Sequence, residues 1–272
     1  MLQISQLNIY PVKSLGGISK QKIQLCATGF EYDRRWMLVD ENNMFLSQRT
    51  HPQMVLLHTV QNDKGFTISK YNDENLSIII PFVTEAKKKL KVTVWEDICE
   101  AIEVSHEHNE WFSDMLHFKC KLVYMPDDAE RLVDNRYANN KEVTSFSDGY
   151  PILMIGEATL ENLNGKLKET LPMNRFRPNM VFSGGHAHIE DEMQKFSINE
   201  TSFLGVKPCS RCVITTINQQ NAEKGKEPLK TLSTYRTKDN KIYFGQNILH
   251  QQNGAISVGD TINIIQQAAP LF

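Results

Sequence analysis

The stretch KPCSRCVITTIN (residues 207–218) joins two cysteines to a run of β-branched residues. Cys209 and Cys212 lie three positions apart, with Arg211 between them. The run Val213–Ile217 favours an extended conformation, so we expect a strand directly after Cys212. Residues three apart on a strand point to opposite faces. This pattern predicts that only one of the two thiols faces a given ligand.

Three ordinary interpretations of the cysteine pair remain open from these residues. A zinc site needs four ligands, but no second CxxC is present, and His186 and His188 lie far upstream. A redox dithiol usually opens a helix, whose dipole favours the thiolate, whereas a strand is predicted here. Two buried structural cysteines are common. The charge of Arg211, however, suits an anion-binding cleft better than a sealed core.

The composition of the chain is that of a globular protein with a substantial core. It has 272 residues, of which 40% are hydrophobic and 23% charged, enough for one large or two modest domains. The net charge of −2 argues against a broad nucleic-acid surface, so an anionic ligand would need a local cluster of cations. No signal peptide or membrane-spanning apolar run is present, and five cysteines are an odd number, so we expect a reducing cytoplasm.

Period-two alternation of apolar and polar residues dominates the chain and predicts strands. It is clear in LQISQLNIY (2–10), and residues 62–65 predict a hairpin turn. Residues 106–117 predict a short amphipathic helix, and regularly spaced leucines predict a longer one over 155–171. Short strand-like runs follow to the end of the chain. This pattern indicates a β-barrel with helical additions.

The predicted fold class is mainly β with some α. We expect two β-rich domains, residues 1–125 and 126–272, although no glycine- or serine-rich linker marks the boundary. The β-barrel with helical additions is the second of them.

Two sets of motifs occur in a consistent order along the chain. The later set is NRFRPNMVFSGG (174–185), IEDE (189–192), KPCSRCVITTIN (207–218), FGQN (244–247) and ISVGD (256–260), and the earlier set is YPVKSLGG (10–17) and YDRRWMLVD (32–40). The later set resembles the MOSC domain, and the earlier set resembles the β-barrel domain that precedes it in the amidoxime-reducing branch of that family. The resemblance runs from residue 8 to residue 265 and implies a MOSC-type barrel for the C-terminal domain. It also implies that residues 1–35 reach the cofactor site.

The resemblance implies a molybdenum cofactor, that is, molybdenum on a molybdopterin. Cys212 matches the family's protein ligand to the metal and is therefore the predicted catalytic residue. A soft thiolate suits a metal whose other sulfur ligands come from the pterin. The resemblance implies these cofactor contacts: Lys13, Ser14, Arg34, Ser145, Ser147, Arg177, Asn179, Ser210, Arg211, Gln246 and Asn247. Cys209 receives no role.

The function implied is reduction of N-hydroxylated compounds, such as hydroxylaminopurines or amidoximes, by oxygen-atom transfer. The chain has no cysteine cluster for an iron–sulfur domain, so the electrons are expected from a separate ferredoxin, flavoprotein or cytochrome. Asp148 is a candidate proton donor. The alternative function is a carrier or transfer protein for the molybdenum cofactor or for sulfur, without turnover. We expect a monomer that binds neither a nucleic acid polymer nor a membrane.

Overall fold

Strands make up most of the structure, a computed structural model that describes residues 1–71, 73–138 and 141–272. In chain order the strands are β1 Leu2–Ile9, β2 Ile18–Lys20, β3 Lys22–Cys26, β4 Gly29–Phe30, β5 Trp36–Val39, β6 Leu57–Asn62, β7 Gly65–Lys70, β8 Asp73–Pro81, β9 Lys89–Val94, β10 Asp97–Glu103, β11 Lys121–Tyr124, β12 Ile152–Gly156, β13 Met180–Ser183, β14 Met193–Ile198, β15 Thr201–Ser210, β16 Thr237–Lys238, β17 Lys241–His250, β18 Gly254–Ser257 and β19 Thr261–Gln267. The α-helices are α1 His106–Leu116, α2 Glu157–Asn164 and α3 Leu229–Leu232. Short 3₁₀ helices span Pro52–Leu56, Met173–Arg175, Ile189–Asp191 and Val213–Thr216. The predicted mainly β fold is confirmed.

Seven strands close into a barrel within the described part of the chain. They follow the order β12–β13–β1–β19–β14–β15–β17, and pairing of β17 with β12 completes the ring. β2 pairs with the last residues of β1, and β16 pairs with the first residues of β17. The predicted barrel with helical additions is therefore confirmed.

A β-bulge in β1 corrects the phase of its side-chain alternation. Leu2 and Ile4 are buried, and so are Leu7 and Ile9, although the two pairs are out of phase with period two. The pairing register with β13 shifts between Ile4 and Gln6. The extra residue returns Leu7 and Ile9 to the core face.

Three smaller sheets are present besides the barrel. β5, β11, β10 and β9 form one, β6, β7 and β8 a second, and β18, β3 and β4 a third. The third sheet pairs an early strand with a late one, as does the pairing of β1 with β19. A single buried cluster includes both Ile4 of the barrel and Phe66 of β7. The first thirty residues thus contribute β1 to the barrel and β3 and β4 to the sheet that contains β18. The domain boundary near residue 125 stays a prediction.

The predicted helices differ in how well their limits agree with the structure. The helix over 106–117 is confirmed as α1, whose N-terminus is capped by the Ser105 hydroxyl accepting from the His108 amide. The helix over 155–171 is too long, because α2 ends at Asn164. The Asn164 side chain both donates to and accepts from the backbone of Leu171, which closes a loop in place of further helical turns.

The strand predicted after Cys212 is wrong, since Val213–Thr216 forms a 3₁₀ helix. The Thr215 hydroxyl donates to the Cys212 carbonyl at 3.0 Å, and the Thr216 hydroxyl donates to the Val213 carbonyl at 2.8 Å. These local hydrogen bonds compete with a sheet ladder for the backbone and stabilise the turn. Across the described ranges, no helix has both the length and the apolar character needed to cross a membrane.

Candidate active site

A cavity of about 260 Å³ lies where the N-terminal segment meets the end of β15. Of the twelve predicted site residues, ten line it: Lys13, Ser14, Arg34, Ser147, Arg177, Asn179, Ser210, Arg211, Cys212 and Asn247. They come from opposite ends of the sequence. The structure therefore places most of the predicted site residues around one cavity.

Ser145 and Gln246 are not among the residues that line the cavity, and their cofactor contacts stay predictions. Ser145 is buried, and its carbonyl accepts a hydrogen bond from Arg131 at 2.9 Å. Gln246 is buried on β17 next to Asn247, which does line the cavity. Consecutive residues on a strand face opposite sides, so only one of these two neighbours reaches the cavity.

Both thiols of the CxxC motif line this cavity, so the expectation that only one would face it is wrong. Cys209 lies on β15, whereas Cys212 lies beyond its end and precedes the 3₁₀ helix. The alternation rule applies only within a strand, and the chain leaves the strand between them. Each sulfur accepts a hydrogen bond from a different arginine. Arg49 Nη1 is 3.6 Å from Cys212 Sγ, and Arg211 Nη1 is 3.0 Å from Cys209 Sγ.

Two arginines of the cavity lie against the ring of one buried tyrosine, Tyr10. The guanidinium carbons of Arg34 and Arg177 lie 4.3 and 4.2 Å from the centroid of Tyr10. The π face attracts both cations and offsets part of their mutual repulsion. Arg34 Nη1 also donates to Asp33 at 2.5 Å and to Asn179 Oδ1 at 2.9 Å. The pair is thus fixed before any ligand arrives.

Three residues of this wall have backbone angles in the left-handed region. The φ values are 70° at Ser14, 50° at Arg34 and 54° at Arg177. This conformation costs about 1–2 kcal/mol for a residue with a Cβ. Such strain is concentrated at binding sites, where the surrounding structure holds a side chain in a required place.

Lys13 and Asp148 form an ion pair inside the cavity. Lys13 is 5% exposed, and its Nζ donates to Asp148 at 2.6 Å and to the Phe146 carbonyl at 2.8 Å. Burial lowers the pKa of Lys13 to about 8, with Asp148 opposing the shift. Burial alone would raise the pKa of Asp148, but Lys13 and Arg49 outweigh it and hold that pKa well below its usual range. Asp148 is therefore ionised at neutral pH and is an acceptor, not the proton donor considered from the sequence.

The described lining of the cavity has seven basic side chains and one acidic side chain, Asp148. The basic residues are Lys13, Arg34, Arg49, Arg175, Arg177, Lys207 and Arg211. Burial lowers the pKa of Arg177 to about 10, so it stays charged at neutral pH. A protein of slightly negative net charge thus carries a strongly positive cavity, as an anionic ligand requires.

Three of these cations, Arg49, Arg175 and Lys207, were missed from the sequence. Arg175 and Lys207 lie inside the motifs NRFRPN and KPCSRC, so proximity to predicted contacts could have indicated them. Arg175 donates to the carbonyls of Thr215 and Thr216 and so holds the 3₁₀ helix behind Cys212. Arg49 comes from a segment with no motif of its own.

The donor set fits a metal that arrives on an anionic cofactor. Among residues 1–71, 73–138 and 141–272, no group of three or more His, Cys, Asp or Glu side chains could hold a metal ion. Cys212 alone would leave most of a metal's coordination to the cofactor itself. Arg49 Nη2 and Arg211 Nε are buried donors without partners in the described residues. Such donors are available to the oxygens of a ligand.

Comparison with known proteins identifies the family. The model of the MOSC N-terminal β-barrel domain matches residues 1–119, and the model of the MOSC domain matches residues 141–263. Mitochondrial amidoxime-reducing component 1 of Mus musculus is 30% identical over 97% of this chain and 82% of the relative. The chain belongs to the MOSC family. The Homo sapiens counterpart of that MOSC relative is 29% identical over 97% of this chain and 83% of its own.

A second group of MOSC relatives is longer than this chain. Molybdenum cofactor sulfurase of Oryza sativa is 29% identical over 99% of this chain, but the match covers only 35% of that protein. The cavity itself draws on both matched domains. Lys13, Arg34 and Arg49 belong to the N-terminal match, and Arg177 and Cys212 belong to the MOSC match.

Proposed function

We propose that this MOSC protein is a molybdenum-cofactor oxidoreductase that reduces N-hydroxylated compounds such as amidoximes and hydroxylaminopurines. The observation that carries the proposal is the position of the Cys212 thiol in the wall of a cavity with seven cations. A soft sulfur ligand beside a strongly positive wall suits a metal on a phosphorylated cofactor. The two amidoxime-reducing relatives, matched over nearly the full chain, support the reaction class.

The residues that line the cavity have distinct roles in this proposal. Cys212 Sγ would be the protein ligand to molybdenum. Arg34 and Arg177, fixed on Tyr10, would bind the cofactor phosphate, since guanidinium groups pair with phosphate through two hydrogen bonds. When bound, the cofactor would supply a two-electron redox centre that accepts oxygen.

The overall reaction breaks the N–O bond of the substrate. Two electrons and two protons are consumed, and an amidine or amine and one water are released. A separate donor protein would supply the electrons. The ionised Asp148 carboxylate lines the cavity with its side chain 61% exposed, so it can accept a hydrogen bond from a substrate N–H. Lys13, protonated at neutral pH, holds that carboxylate in place.

Metal and pterin analysis tests the proposal. The protein, expressed in a host that makes the cofactor, is expected to contain close to one molybdenum and one pterin per chain. It should also reduce 6-hydroxylaminopurine with a chemical electron donor. Cys212→Ala should lose activity, while the matched variant Cys209→Ala should retain the metal. A purified protein with neither metal nor pterin contradicts the proposal, and activity that survives in Cys212→Ala contradicts the ligand assignment.

A carrier or sulfur-transfer function is the second candidate. The match of 99% of this chain to 35% of a molybdenum cofactor sulfurase and the second thiol, Cys209, in the same cavity favour it. A carrier would contain the cofactor, show no reduction of 6-hydroxylaminopurine, and pass cofactor or sulfur to an acceptor enzyme lacking it. Turnover of the substrate decides between the two functions.

A further inference from the structure

We propose that Arg49, from the N-terminal domain, is a positioning residue for the Cys212 sulfur and presents a positive charge and a free hydrogen-bond donor beside it. The contact stands on geometry alone, whereas its effect on turnover rests on the function proposed above. The N-terminal domain would then complete the reaction site in addition to binding the cofactor.

Arg49 reaches across from a different part of the chain to contact Cys212. It follows β5 and precedes the 3₁₀ helix Pro52–Leu56, and its backbone carbonyl accepts from Lys224 Nζ at 3.2 Å. Its Nη1 donates to Cys212 Sγ at 3.6 Å, a normal length for a hydrogen bond to sulfur. The contact therefore joins residues 163 positions apart.

An aromatic stack fixes the guanidinium in this place. Its central carbon lies 4.0 Å from the ring centroid of Trp95, in the turn between β9 and β10, and 5.8 Å from that of Phe45. Trp95 is itself held, because its Nε1 donates to Asp148 at 3.3 Å and its ring lies 5.2 Å from Phe45. A planar guanidinium stacked on an indole keeps its orientation better than a lysine ammonium would.

One amino group of Arg49 has no hydrogen-bond acceptor. Nη2 is buried and unpartnered within the part of the chain that the structure describes. Arginine has donors on three nitrogens in a fixed planar geometry, so Nη2 stays close to the sulfur that Nη1 contacts. A buried donor without a partner is unfavourable unless a ligand supplies an acceptor. The acceptor expected here is an oxygen of the N-hydroxyl substrate.

The other thiol provides an internal control. Cys209 accepts from Arg211 and not from Arg49. Each thiol in the cavity has its own arginine, so the charge beside one thiol can be removed by substitution while the charge beside the other is kept.

The first test uses the cofactor-free protein and does not depend on its activity. Iodoacetate carries a negative charge and iodoacetamide does not, so the ratio of their alkylation rates reports the local charge at each thiol. Rates at Cys212 and Cys209 are separated by peptide mass spectrometry. Arg49→Gln should lower the ratio at Cys212 by about fivefold or more and leave Cys209 unchanged. Arg211→Gln should lower it chiefly at Cys209, and Arg49→Lys should keep most of it. An unchanged Cys212 ratio in Arg49→Gln, or equal changes at both thiols, overturns the proposal.

The second test uses the cofactor-loaded protein. Arg49→Lys and Arg49→Gln should retain wild-type molybdenum content and melting temperature, alter the molybdenum EPR signal, and lower kcat by about tenfold or more. An unchanged EPR signal and kcat in both variants overturns the positioning role. If the wild-type protein binds no molybdenum, the proposed function fails, while the alkylation result still decides the Arg49 contact.

Discussion

At the scale of single residues, Tyr10 is the point on which the positive wall depends. Arg34 and Arg177 would repel each other, yet both lie close to its ring, and its hydroxyl donates to the Pro178 carbonyl at 3.2 Å. Burial raises the pKa of Tyr10, with the two arginines opposing the shift. The ring therefore stays neutral and offers a negative π face to the cations beside it.

Replacing Tyr10 by leucine should weaken anion binding more than it weakens the fold. Without the ring, the two guanidinium groups lose about 0.5–2 kcal/mol each of attraction and become less ordered. We expect affinity for pyrophosphate, measured by calorimetry on the cofactor-free protein, to fall by about tenfold. Tyr10→Phe keeps the ring and should bind nearly as the wild type does. Equal losses in both variants would assign the effect to the hydroxyl.

Glu190 is a second residue whose environment has a measurable consequence. It is fully buried, and Thr159 Oγ1 donates to its Oε2 at 2.8 Å, while Oε1 has no partner among the described residues. Burial raises the pKa of Glu190 from 4.5 to about 7. The folded state thus prefers the neutral acid. Its contribution to stability is present below pH 4.5 and is lost as the pH rises to about 7.

The pH dependence of unfolding tests this environment. Between pH 5 and pH 8 the free energy of unfolding of the wild type should fall more than that of Glu190→Gln. The expected difference between the two decreases is up to about 3 kcal/mol. Urea denaturation at the two pH values measures the difference. Glu161→Gln, on the exposed face of α2, is the matched control and should follow the wild type. A parallel pH dependence in wild type and Glu190→Gln contradicts the raised pKa.

At the scale of elements, the 3₁₀ helix Val213–Thr216 decides where Cys212 points. A strand there would have continued β15 and separated the two thiols. Arg175, from another 3₁₀ helix, is buried and donates to the carbonyls of Thr215 and Thr216 at 3.1 and 3.3 Å. One short helix therefore holds the other through a buried charge.

Removing the Arg175 guanidinium should release the segment that follows Cys212. Arg175→Met keeps the length of the side chain but leaves two carbonyls without a donor. We expect a loss of about 1–3 kcal/mol in the free energy of unfolding. We also expect faster hydrogen exchange over residues 213–217, measured by mass spectrometry. Lys230→Met, on the surface of α3, is a control that should leave exchange there unchanged. Unchanged exchange in Arg175→Met would contradict this role.

At the scale of the whole molecule, the cavity exists only when distant segments fold together. Its cations extend from Lys13 to Arg211, and β1 lies in the barrel beside strands from the end of the chain. A ligand that binds this cavity binds the folded state alone. Its free energy of binding therefore adds to the stability of the whole chain.

Pyrophosphate should accordingly raise the melting temperature of the cofactor-free protein. At a concentration of one hundred times Kd the expected stabilisation is about 2.7 kcal/mol. It should shrink as salt rises, because the cations are partly screened. Differential scanning calorimetry at two salt concentrations measures both effects. Arg34→Gln combined with Arg177→Gln should abolish the shift, and a shift that persists in this double variant would place the anion elsewhere.

The sequence by itself determined the mainly β class, the barrel, helix α1 and the order of family motifs. These depend on local periodicity and on residues adjacent in the chain, as in the alternation of β1 and the KPCSRC motif. Only the tertiary structure decided that Cys209 and Cys212 share one cavity, that Gln246 faces away from it, and that Arg49 contacts the Cys212 sulfur. The physical reason is that those outcomes depend on long-range contacts and on hydrogen-bond competition at the end of a strand. Neither leaves a periodic trace in the sequence.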